Sequence, residues 1–245
     1  MLRSEWTKLR SVRSTVWTLL AAVALMVGFG LLLAFVSRDL GDEAGLTDAT
    51  MISLSGSSFA SLAVASLGVL VISGEYRTGM IRTTLLAVPG RLRMLTAKVA
   101  VFAVTAFAVA LAASFAAFFA GQAVLGDKGA ALGDPGVLRA VVGAGLLITA
   151  SGIFGLALGA LIRHTPGAIV AMTALIFVLP QMTGMLPGEW GATVRKYFTT
   201  NAGDQIVRVE AVDGQLGPWA GFGVYCAWIA VTLVAAAVLL RRRDA

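Results

Sequence analysis

Charged residues are scarce in this sequence: Asp, Glu, Lys and Arg make up 13% of its 245 residues, whereas 58% are hydrophobic. The mean hydropathy of +0.87 is far above that of a soluble domain. Between the groups of charged residues lie apolar runs of roughly 20 residues or more, about the length with which a helix crosses hydrocarbon. The composition therefore excludes an ordinary soluble domain and predicts an integral membrane protein.

Cysteine and histidine each occur once, as Cys226 and His164. A single cysteine cannot form an intramolecular disulfide, and a lone histidine without an H-E-x-x-H motif argues against a zinc site. The sequence also has no G-x-x-x-x-G-K-[ST] loop that could cradle ATP phosphates. We therefore expect no catalytic residue, no metal and no bound cofactor in this chain, which is not predicted to be an enzyme.

Six apolar runs predict an all-α fold of six transmembrane helices in a single domain. The predicted spans cover residues 15–36, 52–73, 95–125, 137–162, 166–186 and 218–240. Their cores lack Asp, Glu, Lys and Arg, which argues against a proton-driven transporter and against an intramembrane enzyme. Lys98, near the start of the long third run, is expected to extend its amine back to the membrane surface.

The orientation of the spans follows from the distribution of basic residues. With the N-terminus inside, thirteen of the nineteen Lys and Arg residues lie on the inner side. Both termini and residues 74–94 are then cytoplasmic, and residues 187–217 form an extracytoplasmic segment. Because the basic residues flank apolar runs and form no continuous stripe, we expect a lipid bilayer and not nucleic acid as their partner.

Residues 1–14 precede the first span, which we interpret as a retained anchor. Leu2, Leu9 and other apolar residues recur here at spacings of three and four, as in an amphipathic helix lying on the inner leaflet. A basic tail that only sets topology is the alternative. The residues predicted to contact the membrane surface are Trp6, Lys8, Arg10 and Arg13.

Small residues, polar residues or proline mark three of the predicted spans. Serines crowd the second span, and Gly155 and Gly159 form a G-x-x-x-G pair in the fourth, a pattern typical of close helix packing. Pro180 predicts a break in the fifth span, which either lines a pathway or simply leaves the membrane. The candidate pathway residues are Ser57, Ser61, Pro180, Gln181 and Thr183.

Three blocks of the sequence carry a resemblance to a known family. They are "RSEWTKLRSVRSTVWTLL", "GVLVISGEYRTGMIRTTLLAVPGRLRMLTAKVAVF" and "YFTTNAGDQIV". With the order of the spans, they resemble the permease subunits of type-2 ABC transporters, specifically a short actinobacterial exporter-like group. The chain departs from the family in "FTTNAG", which lacks the proline usually found ahead of the asparagine.

The resemblance implies a permease that exports its substrate by alternating access across a bacterial cell membrane. It implies two partners: a cytoplasmic ABC ATPase, which binds ATP and Mg, and a second copy of this permease or a similar one. Residues 74–94 then form a coupling segment against the ATPase, and the residues that match the family there are Glu75, Tyr76, Arg77, Thr78, Gly79 and Arg82. The alternative is an ATP-independent membrane interaction protein of the immunity or sensor type.

Overall fold

The computed structural model of the protein describes residues 2–40, 48–80, 90–210 and 212–242. It is 86% helical, and none of the described residues lies in a β-strand, so the prediction of an all-α fold is confirmed. The helices are α1 (Leu2–Ser11), α2 (Arg13–Leu40), α3 (Ala49–Ser53), α4 (Ser57–Arg77), α5 (Arg91–Leu125), α6 (Val137–Ile162), α7 (Thr165–Thr173), α8 (Leu179–Met182), α9 (Gly188–Tyr197), α10 (Thr199–Gly203) and α11 (Pro218–Arg242).

Six helical segments in the described residues are long and apolar enough to cross a membrane. They are Arg13–Asp39, Ala49–Arg77, Leu92–Lys128, Val137–Ile162, Thr165–Met185 and Pro218–Arg242. Each coincides with one predicted span to within a few residues at either end. The prediction of six membrane-length helices is therefore confirmed, whereas the orientation of the termini stays a prediction.

Helix α6 is the centre of the bundle and is buried along most of its length. It lies closest to α4, because glycines remove the side chains that would hold the two backbones apart. A Cβ atom on Gly159 would lie 2.6 Å from Ile72 Cγ2, and one on Gly155 would overlap the carbonyl oxygen of Ala65. The close helix packing expected from the G-x-x-x-G pair is confirmed.

The second span is not one continuous helix, as the sequence suggested, but two helices joined at residues 54–56. Asp48 begins the short α3 by accepting hydrogen bonds from the backbone N–H groups of Thr50 and Met51. The break falls in a serine- and glycine-rich stretch of low helix propensity. There Gly56 lies against α2, and a Cβ on it would come 2.6 Å from the Cα atom of Met26.

The fifth span departs from α-helical geometry, as Pro180 predicts. Five residues, Ala174–Val178, form a π-helical turn immediately before α8. Because proline has no N–H group to donate, carbonyl groups in the preceding turn are left free. The hydroxyl of Thr199 donates to the carbonyl oxygen of Leu175 at 2.7 Å, and that of Thr200 donates to Ile176 at 2.8 Å.

Asn201 completes the support of this broken helix. Its side-chain amide donates to the carbonyl oxygen of Pro180 at 3.1 Å and to the hydroxyl of Thr183 at 2.9 Å. The "TTNAG" stretch therefore has a structural role, since its side chains donate hydrogen bonds to carbonyl groups in and before the turn that contains Pro180. The preceding segment of the predicted outer region forms the short helix α9.

Candidate functional site

Four charged side chains from three helices meet at one end of the bundle. Glu5 and Lys8 lie on α1, Glu75 lies in the last turn of α4, and Lys98 lies near the start of α5. Lys98 Nζ donates to Glu5 Oε2 at 2.7 Å and to Glu75 Oε1 at 2.8 Å. Lys8 Nζ donates to Glu5 Oε1 at 2.9 Å and to Glu75 Oε1 at 3.0 Å. These four residues are called the ion-pair cluster below.

The ion-pair cluster is largely removed from solvent. Lys98 is 3% exposed, and Glu5 and Glu75 are each 7% exposed. Burial raises the pKa of Glu5, but the hydrogen bonds and charges of Lys98 and Lys8 outweigh burial and hold that pKa below its ordinary value. Burial lowers the pKa of Lys8, yet its bonds to Glu5 and Glu75 leave that pKa raised. The cluster thus pairs two carboxyl side chains with two amines of opposite formal charge.

A cavity of about 330 Å³ adjoins the ion-pair cluster. Its walls are mostly apolar and include Leu67, Leu70 and Val71 of α4. Glu75 also lines it, and the Oε2 atom of that residue is buried without a hydrogen-bond partner among the residues that the structure describes. One oxygen of Glu75 therefore accepts hydrogen bonds from both lysines, whereas the other has no donor among the described residues.

The predicted coupling residues fall in two environments. Glu75 belongs to the ion-pair cluster, and the ring of Tyr76 lies under the guanidinium of Arg163, 5.1 Å from its centroid. Arg77, Thr78 and Gly79 are exposed, and Gly79 adopts a positive φ of 71°, a conformation that favours glycine. Helix α4 extends through Arg77, so residues 74–77 continue the helix of the second span, and their assignment to a cytoplasmic coupling segment stays a prediction. Arg82 lies outside the described residues.

The residues predicted to contact the membrane surface also separate. Trp6 is 49% exposed, and Arg10 is exposed on α1. Arg13 begins α2 and is exposed as well. Lys8, by contrast, turns to the ion-pair cluster. A helix does form at Leu2–Ser11, but its position on a membrane surface stays a prediction.

The extension of Lys98 to the membrane surface stays a prediction, but the structure gives its amine partners that the prediction did not include. Its amine is bonded to two carboxylates inside the protein, because a buried charge is more stable beside opposite charges than in an apolar run. The sequence contained the signal that could have found this cluster. Glu5 is the one acidic residue in a basic N-terminal segment, and Lys98 is the one basic residue within the run 95–125.

The candidate pathway residues do not share one environment. Ser57 lines a cavity at the start of α4, and Ser61 is buried with a hydroxyl that has no hydrogen-bond partner in the described ranges. The carbonyl of Pro180 and the hydroxyl of Thr183 accept hydrogen bonds from the side chain of Asn201, and Gln181 is exposed. The pathway assignment stays a prediction, and for Pro180 and Thr183 the contacts give a structural explanation.

Metal binding finds no support in the described ranges, where no group of three or more His, Cys, Asp or Glu side chains could hold an ion. The fold defines the chain as an all-helical protein with six helices suited to a membrane. A search of protein-family models and a search of curated proteins find no match to it. The resemblance to ABC permeases therefore depends on the sequence blocks quoted above.

Proposed function

We propose that this chain is the membrane-spanning subunit of an ABC exporter in a bacterial cell membrane. It forms the translocation pathway with a second copy or a similar permease, and a separate ATPase drives alternating access between inward-facing and outward-facing states. The chain itself carries out no covalent chemistry. The resemblance in sequence supplies the family, and six membrane-length helices agree with it.

The observation that carries this proposal is the ion-pair cluster. Helices α4 and α5 flank residues 78–90, the connection that would dock on the ATPase. The Glu75–Lys98 pair joins these two helices, and Glu5 and Lys8 attach α1 to both. A force applied to the connection would thus move three helices together, because separating any of them would leave a buried charge unpaired.

This geometry changes the role proposed for Glu75. A side chain that is 7% exposed has little surface to offer a partner, so Glu75 holds the helices together and does not contact the ATPase. The exposed Arg77 and Thr78 at the end of α4 are better placed for direct contact. The proposal therefore assigns docking to residues 77–80 and transmission to the ion-pair cluster.

Affinity purification from native membranes tests the docking part. We expect a protein with a Walker A loop to co-purify with the tagged chain, and Arg77→Glu to reduce its recovery several-fold. Arg195→Glu is the matched control, because Arg195 is an exposed arginine on α9, which is predicted to lie on the opposite side of the membrane. Equal recovery with wild type and Arg77→Glu would remove the docking assignment, and absence of any ATPase would favour the ATP-independent alternative.

ATPase activity in nanodiscs tests the transmission part. In the Glu75→Gln variant the ATPase should stay bound, since Arg77 is unchanged. The rate of ATP hydrolysis, however, should no longer respond to the permease as it does in the wild-type complex. Arg10→Gln changes an exposed charge on α1 outside the cluster and should leave activity at the wild-type level. Transmission would be excluded if Glu75→Gln and Arg10→Gln gave the same activity as wild type.

A further inference from the structure

A second cavity, of about 430 Å³, lies at the other end of α4. Ser57 at its rim and Glu75 in the ion-pair cluster are eighteen residues apart on one helix, or about 27 Å at 1.5 Å per residue. Three parts of the chain form the cavity: the break between α3 and α4, helix α2, and the short 3₁₀ helix Asp204–Ile206 with the two residues that follow it. It is called the Asp204 cavity below, and its polar lining is Asp48, Ser55, Ser57, Ser58, Asp204 and Arg208.

Two of these residues are oppositely charged and lack direct partners. Asp204 and Arg208 are four residues apart, yet no ion pair within 4.0 Å joins them, and neither side chain forms a hydrogen bond in the described part of the chain. The Nε atom of Arg208 is buried and has no hydrogen-bond partner among the described residues, and the same holds for the hydroxyl of Ser55. Unsatisfied buried groups of this kind are rare in folded proteins and call for a ligand or another explanation.

The contrast with the ion-pair cluster shows how unusual this arrangement is. There, Glu5, Glu75 and Lys98 are buried, and each of the two lysines is hydrogen-bonded to both carboxylates. Here, burial raises the pKa of Asp204 to about 7, and the charge of Arg208 only partly offsets that rise. A carboxylate without a paired charge is stabilised by a cation that approaches it. The guanidinium of Arg208 is stabilised in the same way by an anion.

The rest of the lining fixes the character of such a ligand. One carboxylate of the cavity is already engaged, since Asp48 Oδ1 accepts from two backbone N–H groups of α3. Three serines supply hydroxyls, and the remaining wall is apolar, with Leu33, Met51 and Val207 among its residues. A volume of about 430 Å³ falls in the range of small-molecule sites.

We propose that the Asp204 cavity binds a zwitterion with an apolar part, whose ammonium group pairs with Asp204 and whose carboxylate or phosphate pairs with Arg208. Two sources share this chemistry: a free amino acid or short peptide, and the head of an ethanolamine phospholipid. The apolar part of either lies against the leucine and methionine wall. The site does not depend on the permease proposal, because binding is a property of this chain by itself.

Three probes with similar apolar groups test the need for both charges. Binding of L-leucine, isopentylamine and 4-methylpentanoate is measured by isothermal titration calorimetry on the full chain in lipid-free detergent at pH 8. We expect leucine to bind at least tenfold more tightly than the amine or the acid. Equal affinity for leucine and either single-charge probe overturns the proposal for a free ligand.

The lipid source is tested separately, with the same chain transferred from detergent to nanodiscs. Thermal unfolding is compared in nanodiscs of phosphatidylethanolamine and of phosphatidylcholine, whose quaternary ammonium has no N–H to donate to Asp204. A higher midpoint in phosphatidylethanolamine, lost in Asp204→Asn, identifies the headgroup as ligand. Failure of leucine together with equal midpoints in the two lipids overturns the whole proposal.

Substitutions that remove a charge test whether Asp204 and Arg208 contact the ligand. Asp204→Asn and Arg208→Gln should each weaken binding of the favoured probe at least tenfold, whereas Asp213→Asn and Arg38→Gln, which change exposed charges, should leave it unchanged. A measurement on the wild-type chain guards against misfolded variants. Saturating probe should protect Asp204, but not Asp213, from carbodiimide modification read by peptide mass spectrometry. Equal modification of Asp204 with and without a bound probe would place the ligand elsewhere and contradict the assignment.

Discussion

Replacing Lys98 with methionine should strongly destabilise the protein. The amine of Lys98 is 2.7 Å from Glu5 Oε2 and 2.8 Å from Glu75 Oε1, and the residue is 3% exposed. Without it, two buried carboxylates share the single charge of Lys8. Removing one member of a buried ion pair costs about 3–5 kcal/mol, because the remaining charge is left uncompensated.

The loss is measured as the thermal unfolding midpoint of purified protein in detergent. At roughly 2–4 °C per kcal/mol for a chain of this size, Lys98→Met should lower the midpoint by about 6–20 °C. Arg93→Met is the matched control, since Arg93 is exposed on the same helix and its replacement should change stability by no more than about 0.5 kcal/mol.

A double variant separates charge from packing. Adding Glu75→Gln to Lys98→Met leaves one carboxylate, Glu5, facing one amine, Lys8, so the cluster is neutral again. The double variant should therefore be more stable than Lys98→Met alone, although it carries one more substitution. The electrostatic reasoning is refuted if Lys98→Met unfolds at the same temperature as Arg93→Met, or if the second substitution lowers the midpoint further.

Three further predictions concern other parts of the bundle. Thr200→Val removes the hydroxyl that satisfies a freed helix carbonyl and should cost about 1–3 kcal/mol in thermal unfolding, whereas Thr193→Val, at an exposed hydroxyl, should cost less than 1 kcal/mol. Gly155→Leu should prevent folding by forcing α4 from α6, as judged by size-exclusion chromatography, while Gly223→Leu, where nothing lies within 4 Å, should fold normally. Because the folded pKa of Asp204 is raised to about 7 from 3.8, its protonated form stabilises the fold, and this stability is lost as pH rises through 7. Wild type should thus gain up to about 1.4 kcal/mol per pH unit on acidification below 7, relative to Asp204→Asn, and parallel pH profiles of the two would contradict that assignment.

Helix α1 shows what the spacing of apolar residues can and cannot predict. Its apolar spacing predicted a helix before the first span, and a helix is present at Leu2–Ser11. The same pattern placed Lys8 with the surface residues Trp6 and Arg10. It could not show that Lys8 is bound to Glu75, sixty-seven residues away, because periodicity reports which residues share a face of one helix and nothing about the face of another helix that meets it.

The fifth span gives the complementary case. Pro180 by itself predicts that the helix is disturbed, because a missing N–H and a steric clash are properties of the residue. The identity of the groups that compensate is not a local property. Thr199 and Thr200 follow the disturbed turn by more than twenty residues, and only the return of the chain brings their hydroxyls to its free carbonyls.

The sequence by itself determined that the protein is all-α with six membrane-length helices, because chain length and the hydrophobicity of each run are sufficient for that conclusion. Tertiary structure alone decided which charges pair. Glu5, Glu75 and Lys98 join across three helices, whereas Asp204 and Arg208, close in sequence, remain apart and face a cavity. The reason is physical: the cost of burying a charge depends on the groups around it in space, and helix packing sets those groups.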